Sequence, residues 1–442
     1  MSIQTSGARP ASSGYAWFVV AILMIAYIFS FIDRQILSLL VAPIRRDLAI
    51  SELQMSLLMG FSFALFYTIL GIPLGRLADN KSRRGIIAAG LVTWSVMTAL
   101  CGTAKQYWQL FMYRIGVGVG EAALSPAAYS MIADYFPPER RATAISVYSM
   151  GIYLGAGLAF LLGGLVVKIA SAQGSVVLPL IGAIYPWQMV FLIIGGAGLL
   201  FAFAFLFVRE PPRQVGHSGA PLGTVLRYIW ANRRTVLCHN IGFGLIALCS
   251  YGSSAWIPTF FVRHYGWDIS EVALVYGSLV MVFGAGGIVF GGWLTDRWLK
   301  QGKTDAALRV GLWAASVLLT VGGLYVLAPT GALSFALMVP TIVCLGLPFG
   351  AAPAAIQEIM PSDMRGQASA VYLFIVNLLG LGIGPTAVAY FTQEVFANDA
   401  AVGWSIFVVG SVANLAAIAF LAAGLRPYRE TLARLQLKPS VA

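Results

Sequence analysis

Long apolar runs, separated by short polar segments, follow one another along almost the whole chain. Each run reaches the ~20 residues that a helix needs to cross the hydrocarbon core of a bilayer. Six runs precede the longest polar stretch and six follow it. The pattern predicts membrane-spanning helices at 17–42, 53–77, 85–104, 107–132, 142–168, 187–208, 234–262, 271–295, 308–328, 332–357, 367–393 and 401–424. We therefore expect an all-α membrane protein with twelve transmembrane helices in two six-helix halves.

The composition excludes a soluble enzyme. Hydrophobic residues make up 59% of the chain and charged residues only 10%, whereas soluble domains carry roughly 25% charged residues. The formal net charge of +11 would suit nucleic-acid binding, but no basic stretch is interleaved with aromatic residues. We expect no nucleic-acid partner, because the basic residues lie between the apolar runs.

The distribution of basic residues predicts the orientation in the membrane. Of the 28 Lys and Arg residues, 21 lie on the side of the predicted topology that carries both termini and five on the opposite side. By the positive-inside rule, both termini are expected to be cytoplasmic. The predicted organisation is a cytoplasmic tail at 1–16, a first half at 17–208, a cytoplasmic linker at 209–233, a second half at 234–424 and a cytoplasmic tail at 425–442.

The two halves resemble each other in sequence. Segment 137–148 aligns with 361–372 at an offset of 224 residues, and segment 75–79 aligns with 292–296 at an offset of 217. Both pairs fall in loops at equivalent places of the two halves. This is the pattern of a parallel duplication whose axis lies along the membrane normal.

A charged loop between the second and third spans carries a recognisable motif. Segment 75–84 reads Gly-Arg-Leu-Ala-Asp-Asn-Lys-Ser-Arg-Arg, and it resembles the loop signature of the major facilitator superfamily, with Ser82 where the family usually has glycine. Such charges can form a cytoplasmic latch that holds the halves together in one state and breaks in the other. The alternative is that they only fix the topology. The predicted gate residues are Asp79, Arg83, Arg84, Asp134, Arg140, Arg141, Asp296, Arg297, Glu358 and Arg365.

In the first half, four ionisable residues lie inside predicted spans and away from the span ends: Asp33 and Arg34 in the first, Arg114 and Glu121 in the fourth. Each costs ~2.5–3.5 kcal/mol on insertion scales, so we expect these groups to pair or to face a cavity. Arg114 and Glu121 share one helix face about 10.5 Å apart along the axis, too far to touch. Asp33 and Arg34 are ~100° apart around their helix, so that one can face the cavity while the other reaches a neighbour.

The four groups sum to zero charge, and protonation of either carboxylate leaves a net charge of +1. A substrate phosphate or carboxylate would then be favoured at Arg34 or Arg114. Asp33 and Glu121 are therefore the predicted proton-coupling residues, and Arg34 and Arg114 the predicted substrate-binding residues. The alternative is that these groups form static salt bridges between the first and fourth helices.

A narrower resemblance rests on four segments: Phe31-Ile-Asp-Arg-Gln35, Arg114-Ile-Gly-Val-Gly-Val-Gly-Glu121, Ser125-Pro-Ala-Ala-Tyr-Ser130 and the run from Asp134 to Arg141. Together they are similar to the Spinster branch of the superfamily, over about residues 15–425. This resemblance implies a transporter of sphingolipids or lysophospholipids, in some members coupled to protons. The second half has no equivalent intramembrane acid, and there we expect Tyr251, Trp256, Phe260 and Asn377 to contribute to the substrate path.

We therefore predict a secondary transporter that works by alternating access, with protons and an amphipathic anion such as a lysophospholipid or sphingoid phosphate as its partners. Small organic anions or drug-like compounds are the alternative substrates, and a non-transporting receptor stays open. An intramembrane enzyme is disfavoured, because no metal-ligand spacing or nucleophile–base pair is seen. No nucleotide-binding loop is present either, so we expect no cofactor and no metal. We expect a monomer in contact with membrane lipids, located in a bacterial inner membrane.

Overall fold

The structure, a computed structural model, describes residues 13–136, 144–145, 147–173, 176–178, 182–211, 220–361 and 364–436. These residues are almost entirely helical, and eleven of the helices are long and apolar enough to cross a membrane. The predicted all-α architecture is confirmed, and the chain is a multi-pass membrane protein. Apolar residues dominate on all sides of these helices because one side faces lipid and another faces the bundle.

The first half has a short helix after its first span and a small hairpin before its last. Its elements are α1 (Ser13–Leu39), α2 (Val41–Leu48), α3 (52–80), α4 (Arg83–Cys101), α5 (Tyr107–Glu121), α6 (Leu124–Tyr135), α7 (Gly151–Gln173), β1 (Val176–Leu178), β2 (Gly182–Ile184) and α8 (Pro186–Ala202), which continues as a 3₁₀ turn at Phe203–Phe207. The two strands are antiparallel, with Val176 opposite Ile184. The sequence pattern did not indicate the hairpin, which lies between the fifth and sixth predicted spans.

A helix within the predicted linker precedes the second half. Its elements are α9 (Leu222–Ala231) in the linker, then α10 (Arg233–Tyr265), α11 (269–300), α12 (Ala306–Thr320), α13 (331–358), α14 (365–395) and α15 (Val402–Gln436). The last helix runs twelve residues beyond the predicted end of the twelfth span at 424, so part of the predicted tail is helical.

Local signals explain where several helices begin and end. Ser51 starts α3 with a capping box, in which its side chain accepts from the backbone N–H of Gln54. Ser82 caps α4 in the same way through Gly85, and Asp268 caps α11 through Ser270. At the other end, Gly266 terminates α10 in the left-handed conformation, which glycine adopts without steric cost.

The fourth predicted span, 107–132, is two helices and not one. Helix α5 has 15 residues and α6 has 12, so each is shorter than the ~20 residues that a crossing needs. Pro126, the third residue of α6, explains the interruption, because a proline lacks the N–H and its ring clashes with the carbonyl four residues earlier. The break leaves Glu121 as the last residue of α5, at the junction of the two helices.

The two ends of the bundle differ in how the halves meet. We call the end where α1 begins and α15 finishes the termini face, and the other end the opposite face. One apolar cluster extends from the first half into the second-half residues near the opposite face, including Trp256 and Phe261. The second half has a separate apolar cluster near the termini face, which includes Tyr372 and Tyr428. In the described ranges, the core that the two halves share therefore lies toward the opposite face.

Glycines allow the halves to approach closely in this shared region. A Cβ added to Gly60 of α3 would lie 2.0 Å from the carbonyl oxygen of Leu381 in α14. A Cβ added to Gly157 of α7 would lie 2.5 Å from the Cβ of Met281 in α11. Gly60 and Leu381 both lie in π-helical turns, Leu57–Phe61 and Leu378–Ile383, which are common at functional sites.

Candidate functional site

The interface between the halves holds a buried ion pair of the first half. Arg34 of α1 places Nε and Nη2 each 2.8 Å from Oε2 of Glu121 in α5. Ser30, one turn before Arg34, donates its hydroxyl to the same carboxylate oxygen. The side chain of Arg34 is 7% exposed and that of Glu121 is 0% exposed. Among the described residues, the other oxygen of Glu121, Oε1, has no hydrogen-bond partner, so one carboxylate oxygen receives all the donors found there.

Three aromatic rings surround the guanidinium of Arg34. Its Cζ lies 4.8 Å from the ring centroid of Phe31, 4.6 Å from that of Phe63 and 4.7 Å from that of Tyr67. Cation–π contacts of this kind are worth ~0.5–2 kcal/mol each, with the larger values at desolvated sites. The rings pack around the guanidinium and hold it in place, while Glu121 neutralises its charge.

A small cavity lies against Arg34, between the two halves. Its volume is about 20 Å³, which has room for about one water molecule. The lining residues come from α1, α3, α10 and α14: Phe31, Arg34, Gln35, Ser38, Met59, Tyr251, Ala255, Leu381 and Pro385. Arg34 is the charged group of this lining, and most of the other residues present apolar atoms. The cavity therefore combines one cation with an apolar wall.

Arg114 and Asp33 lie in the interior beside this pair but do not form one. Arg114 donates from Nη1 to the backbone oxygen of Asp33 at 3.2 Å and from Nε to that of Leu58 at 3.4 Å. Within the described part of the chain, its Nη2 and the Oδ1 of Asp33 have no hydrogen-bond partner. Of the four ionisable groups predicted inside the spans, Arg34 and Glu121 form an ion pair in the described part of the chain. The expected pairing of all four groups is therefore not observed. The structure also places Arg114 and Glu121 out of contact.

A group of tyrosines, which the sequence reasoning missed, lies near Arg34 on the first half. Tyr27 of α1 stacks on Tyr148 with ring centroids 4.7 Å apart. Tyr129 of α6 contacts Tyr148 edge-on at 5.4 Å, and Ser125 lies 3.3 Å from the Tyr148 hydroxyl. Two signals could have pointed to the group, because Tyr148 is part of the internal repeat and Tyr129 lies in the Ser125–Ser130 segment. These residues add hydroxyls to a largely apolar region.

The residues expected from the second half divide into two groups. Tyr251 lines the cavity, and Asn377 is half-buried at the end of the α-helical part of α14, outside the cavity lining. Trp256 is fully buried and donates its indole N–H to the backbone oxygen of Pro385 at 3.0 Å. Phe260 packs against His264 and Tyr325. The structure therefore gives Trp256 and Phe260 packing positions, and neither residue is part of the cavity lining.

The predicted gate residues of the first half form a network at the termini face. Arg83 pairs with Asp134 and places Nε 2.7 Å from Glu210, just after α8. Glu210 also accepts from the backbone N–H of Arg84 at 2.9 Å and from the Ser82 hydroxyl at 3.0 Å. Burial raises the pKa of Glu210, but these donors outweigh it and leave the pKa below its usual value. Glu210 lies at the start of the linker and the other partners lie in the first half, so among the described residues this network does not reach the second half.

The gate residues of the second half are dispersed. Glu358 accepts from the Tyr428 hydroxyl at 2.8 Å, and Arg365 donates to the backbone oxygen of Gln357 at 3.1 Å. Arg297 lies over the ring of Trp293 at 5.1 Å, while Asp296 borders a surface groove beside it. Arg140, Arg141 and the side chain of Asp79 lie outside what the structure describes. The expected latch between the halves is thus not seen in the described part of this face.

A charge cluster at the opposite face does join the halves. Oε1 of Glu52, a fully buried residue of α3, lies 2.9 Å from Nη1 of Arg45 and also pairs with Arg263 of α10. Arg45 Nη1 lies 2.8 Å from Oδ2 of Asp399, and Arg263 donates to the backbone oxygen of Asp399 at 2.9 Å. We call these four residues the inter-half cluster. It was missed because Arg45 and Arg263 are basic residues on the side that has few of them, and the partners that cross between the halves are distant in sequence.

Comparison with known proteins places this architecture in a family. The model of the Major Facilitator Superfamily matches residues 23–385. An efflux pump of this type from Mycolicibacterium smegmatis is 28% identical over 404 residues, covering 89% of this chain and 88% of that protein. The hexuronate transporter of Bacillus subtilis is 25% identical, with 85% of this chain and 88% of that protein covered. Protein spinster of Drosophila melanogaster is 24% identical over 86% of this chain and 62% of its own length.

The solved structures agree with this relationship. A bacterial homologue of the human lysosomal transporter Spinster, in an inward-facing and unoccupied conformation, superimposes with a TM-score of 0.77 at 27% identity, covering 97% of this chain and all of that one. The same kind of homologue in an inward-facing and occupied conformation gives a TM-score of 0.74 at 28% identity, covering 98% and 100%. The chain belongs to the major facilitator superfamily and is a Spinster-like transporter.

Proposed function

We propose that this transporter moves an amphipathic anion, such as a lysophospholipid or sphingoid phosphate, by alternating between two access states. Transport of the anion is coupled to protons. The two halves at 17–208 and 234–424 are the moving units. Segment 107–135 counts as the interrupted fourth of twelve crossings. Both termini face the cytoplasm, and the protein resides in the inner membrane of a bacterial cell. Its similarity to bacterial transporters supports this location.

The observation that carries the proposal is the buried Arg34–Glu121 pair at the wall of a cavity between the halves. While Glu121 is ionised, its charge neutralises Arg34 and competes with any anionic ligand. A proton on Glu121 removes that competition, and Arg34 then offers a desolvated cation to a phosphate or carboxylate. Arg114 and Asp33 lie close enough to respond electrostatically, because charges interact strongly in a water-poor interior. Proton binding and anion binding would thus favour each other.

The lining of the cavity favours an amphipathic substrate over a fully polar one. Met59, Ala255, Leu381 and Pro385 present apolar surface on the side facing Arg34. An alkyl chain gains free energy on such a surface, whereas a polyhydroxylated ligand would lose hydrogen bonds to water there. The headgroup would lie at Arg34 and the chain against α10 and α14, when the cavity is wider than in this state.

Alternating access explains why the halves are joined at one end. The inter-half cluster and the close approach at Gly60 hold the opposite face together. Among the described residues, the ion pairs that cross between halves all belong to this cluster, and no ion pair at the termini face joins the first half to the second. This asymmetry supports an inward-facing state, in which the termini face is the side that opens. In the other state the inter-half cluster would break and the substrate site would open to the opposite side.

A flux assay tests the proposal. Purified protein in proteoliposomes is given a labelled lysophospholipid, with and without an imposed pH gradient, and the native protein is compared with Glu121→Gln. The matched control is Glu271→Gln, which changes an exposed carboxylate at the start of α11. We expect flux that responds to the gradient in the native protein and the control, and loss of that response in Glu121→Gln. Native flux that ignores the pH gradient would contradict proton coupling, and absence of lipid flux would contradict the substrate class.

A second candidate substrate class is small organic anions. Two relatives carry names of this kind: a hexuronate transporter of Bacillus subtilis and a probable L-galactonate transporter of Escherichia coli, 25% identical over 64% of this chain. The same Arg34 would bind a sugar carboxylate. Uptake of labelled hexuronate, with lysophospholipid as competitor, separates the two classes, because a dedicated lipid site does not take up the sugar acid.

A further inference from the structure

The linker between the halves contains an amphipathic helix with an exposed apolar stripe. On α9, Leu222, Leu226 and Trp230 follow each other at four-residue spacing, and they are 44%, 51% and 71% exposed. A spacing of four places them along one side of the helix. An exposed apolar stripe that includes a tryptophan is unusual for a surface that faces water alone.

The other side of α9 is fixed to the second half near the termini face. Val225 is fully buried and contacts Met364 and Ala220. The Tyr228 hydroxyl donates to the backbone oxygen of Ile359, at the end of α13, at 2.9 Å. Gln367 of α14 donates to the backbone oxygen of Ala220 at 2.7 Å. The helix is therefore held in a defined orientation, and its apolar stripe points away from the bundle.

Basic residues adjoin the apolar stripe. Arg227 follows Leu226 directly and so lies ~100° around the helix from it. Arg233 stacks over the ring of Trp230 at 5.4 Å, and Arg234 follows at the start of α10. All three arginines are exposed, and among the described residues none of them forms an ion pair with a carboxylate. Leu237, one turn further along α10, is 48% exposed and continues the apolar surface into the membrane-crossing helix.

We propose that α9 is an interfacial helix that binds the anionic lipids of the leaflet at the termini face. Leu222, Leu226 and Trp230 would enter the boundary between headgroups and acyl chains, as the apolar faces of in-plane helices do. Arg227, Arg233 and Arg234 would then lie at the depth of the phosphates and attract anionic headgroups. Tryptophan is enriched at this depth because its ring is apolar and its N–H is polar.

Binding at this helix has a mechanical consequence. Since α9 contacts the end of α13 and the start of α14, anionic lipid would anchor those two helix ends to the leaflet surface. The same helices carry the predicted gate residues Glu358 and Arg365. Lipid composition would thus act on the second half at the face that opens, independently of which substrate is carried.

Fluorescence quenching by brominated lipids tests the assignment. The full-length protein is reconstituted in vesicles of fixed phosphatidylcholine and phosphatidylglycerol content, with bromine on the acyl chains of only one of the two lipids. The chain has 11 tryptophans, so the signal of Trp230 is taken as the difference between the native protein and Trp230→Phe. At equal mole fraction of brominated lipid, we expect the quenching of Trp230 to be about twofold stronger with bromine on phosphatidylglycerol than with bromine on phosphatidylcholine.

Two charge-neutralising variants make the test specific. In Arg227→Gln/Arg234→Gln, the preference for phosphatidylglycerol at Trp230 should disappear. In the matched control Lys300→Gln/Lys303→Gln, which removes two exposed charges at the end of α11, it should persist. Equal quenching by both lipids in the native protein would overturn headgroup recognition. Quenching of Trp230 by iodide in water and not by brominated lipid would overturn the membrane contact itself and indicate water or a soluble protein at this surface.

Discussion

Two nitrogens of Arg34 share one oxygen of Glu121, each at 2.8 Å, while the second oxygen of that carboxylate has no hydrogen-bond partner among the residues that the structure describes. The arrangement satisfies the charge of both residues and leaves one position where a proton can bind without displacing a donor. The pair connects the first helix of the bundle with the last residue of α5, next to the break that Pro126 explains. Proton binding at this oxygen would therefore act at a point where the helix is already interrupted.

The first prediction concerns the stability of this pair. Glu121→Gln leaves the buried Arg34 without its anion, and we expect a loss of about 3 kcal/mol, because removal of one partner of a buried ion pair leaves an uncompensated charge. The double variant Arg34→Gln/Glu121→Gln removes both charges and should recover most of that loss. Equilibrium unfolding of the native protein, both single variants and the double variant in one detergent gives the coupling energy. Additive losses would contradict the ion pair.

The sequence predicted local features well. The apolar runs locate the helices, and two of the predicted gate residues, Arg83 and Asp134, do form an ion pair. The adjacency of Asp33 and Arg34 indicated that they would point in different directions, and Arg34 does line the cavity while Asp33 does not. These features depend on spacing along a single helix or between neighbouring helices, which sequence reports directly.

Contacts between the halves could not be predicted in this way. Arg45 and Asp399 are 354 residues apart, and nothing in either segment indicates the other. Residue type was also a poor guide in the second half, because aromatic rings serve equally for packing and for a substrate path. Trp256 is held by Pro385 of α14, a contact that depends on how α10 and α14 lie together. The location of the gate and of the cavity wall therefore required the three-dimensional arrangement.

The second prediction concerns the inter-half cluster. Glu52→Gln weakens the pairs with Arg45 and Arg263, and we expect the closed form of the opposite face to lose about 2 kcal/mol relative to the open form. Spin labels at Ala42 and Glu271, one exposed position on each half, report the distance across this face. Three of the four cysteines are buried and Cys238 is half-exposed, so Cys238 is replaced by serine before labelling.

The matched control for the cluster is Asp47→Asn. Asp47 pairs with Arg46 and accepts from Trp187 at 3.1 Å, both in the first half. We expect a longer inter-label distance in Glu52→Gln and the native distance in Asp47→Asn. An unchanged distance in Glu52→Gln would show that the cluster does not hold this face closed.

The third prediction tests the close approach of α3 and α14. In Gly60→Ala the new Cβ meets the backbone oxygen of Leu381, which lies 2.0 Å from its ideal position. Overpacking of this kind costs ~1–3 kcal/mol, and the cost falls only on states in which the helices are this close. We expect the same pair of labels to shift toward the open opposite face. Gly71→Ala is the control in the same helix, because nothing lies within 4 Å of its added Cβ. Equal behaviour of the two variants would refute a contact specific to this state.

The fourth prediction concerns the pH dependence of the network around Glu210, which lies outside the membrane-crossing helices. Burial raises the pKa of Glu210, but the donors Arg84, Arg83 and Ser82 outweigh burial and lower the pKa below its usual value. A carboxylate whose pKa is lowered in the folded state binds more protons when the protein is unfolded. Its contribution to the free energy of unfolding is therefore complete above the unfolded pKa of about 4.3 and is lost as pH falls through the folded pKa.

The side chain of Glu210 is 32% exposed, which reduces this contribution to about 1 kcal/mol. Unfolding of the native protein and Glu210→Gln should therefore differ by this amount at pH 7, and the two should converge as the pH is lowered below 4.3. A difference that stays constant down to pH 3 would mean that the contribution of Glu210 does not depend on its charge.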